Sequence, residues 1–216
     1  MLPRRTLLCY TGRSTVVTDR YTTLLDRVKL EIPGVRVILH KNSRCIRAIY
    51  ALIRVFSKGF DSSHYTTTIG KRMYVPDDWY NRSPRLRYEV LRHELVHMRQ
   101  FRRWPFRFFD LPVLRLVNFL TFSFCYLLVL PTKRTMRAKF EREAYTQTLL
   151  VRYEIYGPYT LDIAMRLTSK MARVFGGPDY FYMWSAPDAR KWAAATMEAI
   201  EKGLIKNDRD RVDLLE

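Results

Sequence analysis

Two histidines stand four residues apart in "RYEVLRHELVHMRQF" (87–101), with a glutamate directly after the first: His93, Glu94 and His97. On a helix, residues four apart lie one above the other on the same face. Two neutral imidazoles so placed can grip one divalent cation, and nitrogen ligands of this kind suit Zn2+. Glu94 follows His93 by one residue and so projects about 100° away from it. That offset takes it out of the ligand set and leaves it beside a metal-activated water, where it can take up a proton and pass it on. The spacing is the HExxH arrangement. The alternative is an ordinary histidine pair on a core-facing helix.

Two imidazoles do not complete a catalytic zinc site, which needs three protein ligands and an open position. No histidine follows His97; His40 and His64 lie upstream. The stronger candidates are acidic. "FEREAY" supplies Glu141 and Glu143, two apart and hence about 200° apart on a helix, so only one can face the ion. Glu141 shares a face with Ala144 and Tyr145, and the small Ala144 would let this helix approach the histidine helix closely. Glu143 would share its face with Thr146 and Gln147. Glu141 is therefore the preferred third ligand and Glu143 the alternative.

Elements able to position these residues can be read along the chain. Residues 14–31 have helical apolar spacing (Val17, Tyr21, Leu24, Leu25, Val28) and stop at "IPG". "VRVILH" (35–40) alternates as a strand, and a helix over 43–57 has Ile46, Ile49, Tyr50, Ile53 and Phe56 on one face. "HYTTTIGKRMYVP" (64–76) reads as a strand or a hairpin broken at Gly70. Ser83 and Pro84 form a helix start, a capping hydroxyl followed by proline at the first position. From there Leu86, Val90, His93 and His97 make one stripe, and Trp104-Pro105 ends the helix. Helices are expected over 138–157, 160–175 and 188–202, and the polar tail 204–216 is expected to fray.

Residues 108–131 are strongly apolar. Within 113–130 only Arg115 and Asn118 are clearly polar, at the lower edge of a membrane span. The segment reads either as a buried core helix or as an insertion that associates with a membrane. The chain has 38 Lys and Arg against 21 Asp and Glu, a formal net charge of +17, which favours anionic partners such as an acidic membrane surface. No nucleic-acid-binding signature accompanies that charge, so nucleic acid is not an expected partner. Cys9, Cys45 and Cys125 lie far apart, so neither a disulfide framework nor a cysteine zinc knuckle is expected. The basic N-terminus has no real apolar core, a poor signal peptide, and a cytoplasmic or membrane-associated location follows. A chain of 216 residues with 48% apolar content suits a single domain, 1–216.

HELVH followed by a helix bearing E-x-x-A resembles the gluzincin branch of zinc metallopeptidases, and the minimal zincin-like domains above all. "YVPDDW", the HExxH helix, "HMRQ" and "FEREAY" come in the order found there, over roughly residues 64–155. The resemblance implies an α+β, mainly helical fold, with a small sheet packed on the HExxH helix and the Glu on a later helix. It implies Zn2+ held by His93, His97 and Glu141, Glu94 as general base, and peptide or protein substrates aligned along the strand around Thr66–Val75. Many relatives place Asp four residues after the ligand Glu to support the first histidine; here that position is Tyr145. Tyr156, Tyr180 and Tyr182 are open candidates for an oxyanion donor. The competing reading is a non-catalytic basic protein, associated with a membrane or an anionic polymer, whose metal is structural or absent.

Overall fold

A computed structural model describes residues 12–56, 65–103, 136–177, 183–207 and 210. It is mainly helical with one small sheet, an α+β architecture. The chain runs α1 (Gly12–Glu31), β1 (Arg36–Leu39), α2 (Arg44–Phe56), β2 (Thr67–Ile69), β3 (Arg72–Val75), α3 (Pro84–Arg103), α4 (Met136–Tyr156), α5 (Leu161–Phe175) and α6 (Ala186–Glu201). The boundaries follow local chemistry. Ser83 accepts from the Leu86 amide at the start of α3, and Thr160 and Ser185 cap α5 and α6 in the same way. Gly157, with φ of 80°, turns the chain out of α4 in a conformation that a Cβ would strain.

The sheet has the order β1-β3-β2, with β1 parallel and β2 antiparallel to β3. Gly70, at φ 63°, opens the tight turn between β2 and β3, so the hairpin forms where the glycine predicts it. Alternation along β3 sorts its side chains between two layers. Tyr74 packs with Ile46 and Tyr50 of α2 on one face. Met73 and Val75 point to the other face, into the main core with Leu24, Val28 and Ile32 from the α1 side and Leu91, Leu95 and Met98 of α3. Trp79, fully buried below the sheet, donates from its indole N–H to the Tyr21 hydroxyl at 3.3 Å. Helix α3 is thus the central element: α1 and the sheet cover one side of it, α4 the other, and α5 and α6 pack beyond α4.

Two expectations fare differently. The apolar segment 108–131 lies outside the described residues, as do Tyr180, Tyr182 and His64. Among the described residues no helix is long and apolar enough to cross a membrane. Of the tail expected to fray, 204–207 and 210 are described, and Asp210 is 4% exposed. Its carboxylate accepts from both terminal nitrogens of Arg99, at 2.5 and 2.6 Å, and from Asn207 at 2.8 Å. At this one position a charge presented by α3 meets the tail.

Candidate metal centre

Helices α3 and α4 run antiparallel, and their contact is a ladder of polar pairs. Glu89 meets Arg152 at 2.9 Å, His93 meets Thr148 at 3.1 Å, and His97 lies across from Glu141. At the next rung Gln100 meets Glu143 at 2.9 Å. Glu89, His93, His97 and Gln100 recur every three or four residues on α3, one stripe of the helix. Ala144 is fully buried at the crossing, and the missing bulk there lets the backbones close on each other.

The middle rungs bring three ligand atoms together. His93 Nε2 and His97 Nε2 are 3.3 Å apart, and a Glu141 carboxylate oxygen lies 3.9 and 3.8 Å from them. Among the described residues this is the group of three acidic, histidine or cysteine side chains whose donor atoms could hold a metal ion. Glu141 is 3% exposed. A tetrahedral site with bonds of about 2.0–2.1 Å has edges of roughly 3.3–3.4 Å. The imidazole edge already has that length, and the carboxylate edges exceed it by about half an ångström, within reach of a small side-chain rotation.

Hydrogen bonds on the far side of each ring fix which nitrogen faces the centre. Gln100 donates its amide N–H groups to the Phe140 carbonyl and to the Glu143 carboxylate, at 3.1 and 2.9 Å. Both of those partners can only accept, so the Gln100 amide oxygen is the atom turned toward His97 Nδ1, 2.9 Å away. His97 therefore carries its proton on Nδ1 and presents a lone pair from Nε2. Thr148 directs its hydroxyl toward the Ala144 carbonyl and leaves its oxygen to accept from His93 Nδ1. In the neutral rings no hydrogen remains to lie between the two Nε2 atoms, and a carboxylate oxygen faces both. Three electron-pair donors converge, and a cation is the species such a set fits.

The electrostatics agree. Burial pushes the His93 imidazole down to about 3, with His97 adding to the fall and Glu141 opposing it. A neutral imidazole is the form that binds metal. Burial also raises the Glu94 carboxyl; His97 and the nearby Thr68 hydroxyl pull it down, and Glu141 raises it further. Glu94 is 5% exposed and stands outside the converging group, next to β2.

The other expected residues separate clearly. Glu141 takes the position preferred for it, on one face with Ala144 and Tyr145. Glu143 does not face the histidine nitrogens; it holds Gln100. Tyr145 packs edge-on against the His93 ring, centroids 4.7 Å apart, where an aspartate would have accepted a hydrogen bond. Thr148, one turn further on, makes that bond instead. Tyr156 is not brought to the centre. It is 56% exposed and stacks under Arg85 at the opposite end of the helix pair, about 12 Å along α3 from His93. His40 is engaged elsewhere, with the Tyr50 hydroxyl at 3.4 Å. Gln100 and Thr148 were not anticipated. The signal for Gln100 was present, since it follows His97 by three residues and so shares its face.

No family model matches the chain, and no curated protein or solved structure matches it either.

Proposed function

We propose that this protein is a zinc-dependent metallopeptidase of zincin-like type, with His93, His97 and Glu141 as the zinc ligands and Glu94 as the general base. The observation that carries the reading is the convergence of two imidazole lone pairs, each aimed by a hydrogen bond on the far side of its ring, and one carboxylate oxygen. The donor set, two nitrogens and one oxygen, suits zinc and leaves a fourth position for water or substrate. Zn2+ bound there would supply Lewis acidity to a scissile carbonyl and to a water.

The chain's own residues would do the rest. Glu94 is buried one step around the helix from His93, and its raised carboxyl suits a group that takes a proton and passes it to a leaving amine near neutral pH. β2 is an outer strand of the sheet, and Thr68 on it neighbours Glu94. An extended peptide could add to that edge and bring its backbone across the centre. β3 is the middle strand and has no edge to offer, which narrows the expected alignment segment from Thr66–Val75 to β2.

Metal analysis and one substitution test this reading. The purified protein should contain close to one zinc per chain, and Glu94→Gln should keep that zinc while peptide cleavage falls by about 10²–10⁴-fold. Full zinc with no cleavage of a diverse peptide pool by the unaltered protein would leave a structural metal, the non-catalytic reading. Absence of bound metal at neutral pH would remove the peptidase reading and favour the non-catalytic one.

A further inference from the structure

The sheet face opposite the histidines carries a second polar feature, which the peptidase reading does not use. β1 and β3 are parallel neighbours, and their first residues, Arg36 and Arg72, are direct partners. Partners across two strands share a face and stand about 4.8 Å apart at the backbone, so two like charges sit side by side. Arg72 alternates with Met73 and lies on the Tyr74 side, the face that α2 covers. The hairpin turn adds Lys71, whose ammonium donates to the Pro33 carbonyl at 2.8 Å and keeps two further N–H groups. These three exposed cations line an open cleft of about 410 Å³ together with Gly34, Ile69 and Tyr74 among others.

No carboxylate lines the cleft. Both arginines, Arg36 and Arg72, are exposed, and among the described residues neither guanidinium has a hydrogen-bond or ion-pair partner. The buried and half-buried arginines Arg92, Arg99 and Arg152 all meet carboxylates, whereas Arg36 and Arg72, like the exposed Arg190 of α6, do not. Two adjacent guanidinium forks and an ammonium match the oxygens of a phosphate group in number and geometry. The volume falls in the range of small-ligand pockets, so it admits a phosphate together with part of what it is attached to, with Ile69 and Tyr74 against the organic portion.

We propose that this cleft is a binding site for a phosphate ester, gripped by Arg36, Lys71 and Arg72. The site is separate from the metal centre and does not depend on the peptidase reading. The same chemistry could be presented by a soluble phosphate ester or by a lipid headgroup, and two probes tell these apart: glycerol 3-phosphate by titration calorimetry, and phosphatidylcholine vesicles with and without phosphatidic acid by co-sedimentation, both at physiological salt. Saturable binding of either probe is expected. It should weaken at least tenfold in Arg36→Gln/Arg72→Gln and stay within twofold in Arg190→Gln/Lys191→Gln, which removes the same charge from the exposed face of α6. Binding to phosphatidic acid vesicles alone would assign the phosphate to a lipid, and binding of glycerol 3-phosphate to a soluble ester. The Arg36/Arg72 variant should also unfold, without ligand, at the same or a higher temperature, because a repulsion has been removed. Lack of saturation with both probes, equal loss in the two variants, or a lowered unfolding temperature in the first would overturn the proposal.

Discussion

Helix α3 has two buried polar faces, and they are built on opposite principles. On one, Arg92 and Arg99 are surrounded by groups that answer their charge. Arg92, 1% exposed, donates to Glu154, Gln147, the Tyr88 hydroxyl and the Asp210 carbonyl. Arg99 bridges Glu31 at the end of α1 and Asp210 in the tail. The charges are answered within the chain, and the terminal guanidinium nitrogens all find acceptors, although Arg92 Nε has none among the described residues. On the other face, His93, His97 and Glu141 turn electron pairs toward one another, and the groups behind them (Thr148, Gln100, Glu143) hold them so. A buried cluster that satisfies itself fixes where a helix sits; one that is orderly and yet short of positive charge asks for something the chain does not supply. The arginine face reads as the clamp that holds the histidine face in register.

Ligand removal should show the largest contrast. His97→Ala and Glu141→Gln are each expected to reduce zinc to background after dialysis, with peptide cleavage lost alongside. Helical content by circular dichroism should stay near that of the unaltered protein, because the arginine face remains closed. If zinc stayed stoichiometric in both variants, the convergence on α3 and α4 would not be the metal site.

Breaking the clamp should act the other way round, on stability first. Arg92→Ala leaves Glu154 without its buried donor and the Asp210 carbonyl with the longer bond from the Tyr88 hydroxyl at 3.4 Å, and such losses typically cost about 3–5 kcal/mol. The denaturation midpoint should fall accordingly, while zinc per folded chain stays unchanged. An Arg92→Ala variant of full stability with impaired zinc binding would reverse the roles given to the two faces.

A finer effect is expected from the positioning of His97. Gln100→Ala should keep the fold and weaken zinc binding by about 10–100-fold, the usual range for a hydrogen-bond partner behind a histidine ligand. Glu143→Gln, which keeps a group able to accept from Gln100 but loses its charge, should fall between Gln100→Ala and the unaltered protein. Identical zinc affinities in all three would make the Gln100 contact mere packing.

How far the sequence led can be judged residue by residue. The start of α3 is readable because Ser83 and Pro84 act locally, and the break at Gly70 because a tight turn needs that residue. The choice of Glu141 over Glu143 was readable from Ala144, since a small side chain marks the face on which two helices meet. Gln100 and Thr148 were not singled out. Their roles depend on the rotation of α4 against α3, which is set by long-range packing. The parallel pairing of β1 with β3 belongs to the same class, with a whole helix and a hairpin strand between the partners. Tyr156 misled because aromatic identity says nothing about which end of a helix pair the ring occupies. Asp210 is not singled out by its sequence, because a polar tail looks the same whether water or arginine answers its charge.

Acid titration offers the most delicate test, since the two faces lose stability in different windows. Burial alone would raise the Asp210 carboxyl, but the hydrogen bonds from Arg99 and Asn207 overcome it and hold the group below its ordinary 3.8. Above 3.8 the carboxylate is ionised in both folded and unfolded chains and its contribution is complete. As pH falls below that value the unfolded chain takes up the proton first, and the contribution is lost through the folded value. On the histidine face of the metal-free protein the loss begins earlier. His93 is held neutral by burial, so between 6.5 and about 3 the unfolded chain binds the proton that the folded chain refuses, and stability declines with falling pH. His40, also lowered by burial, adds to the decline in that upper window. Denaturation midpoints followed from pH 7 downward should therefore fall less steeply in the upper window for His93→Gln, with the lower window unchanged, and the reverse for Asp210→Asn. A variant at either position that altered both windows equally would mean that the two faces of α3 unfold as one electrostatic unit.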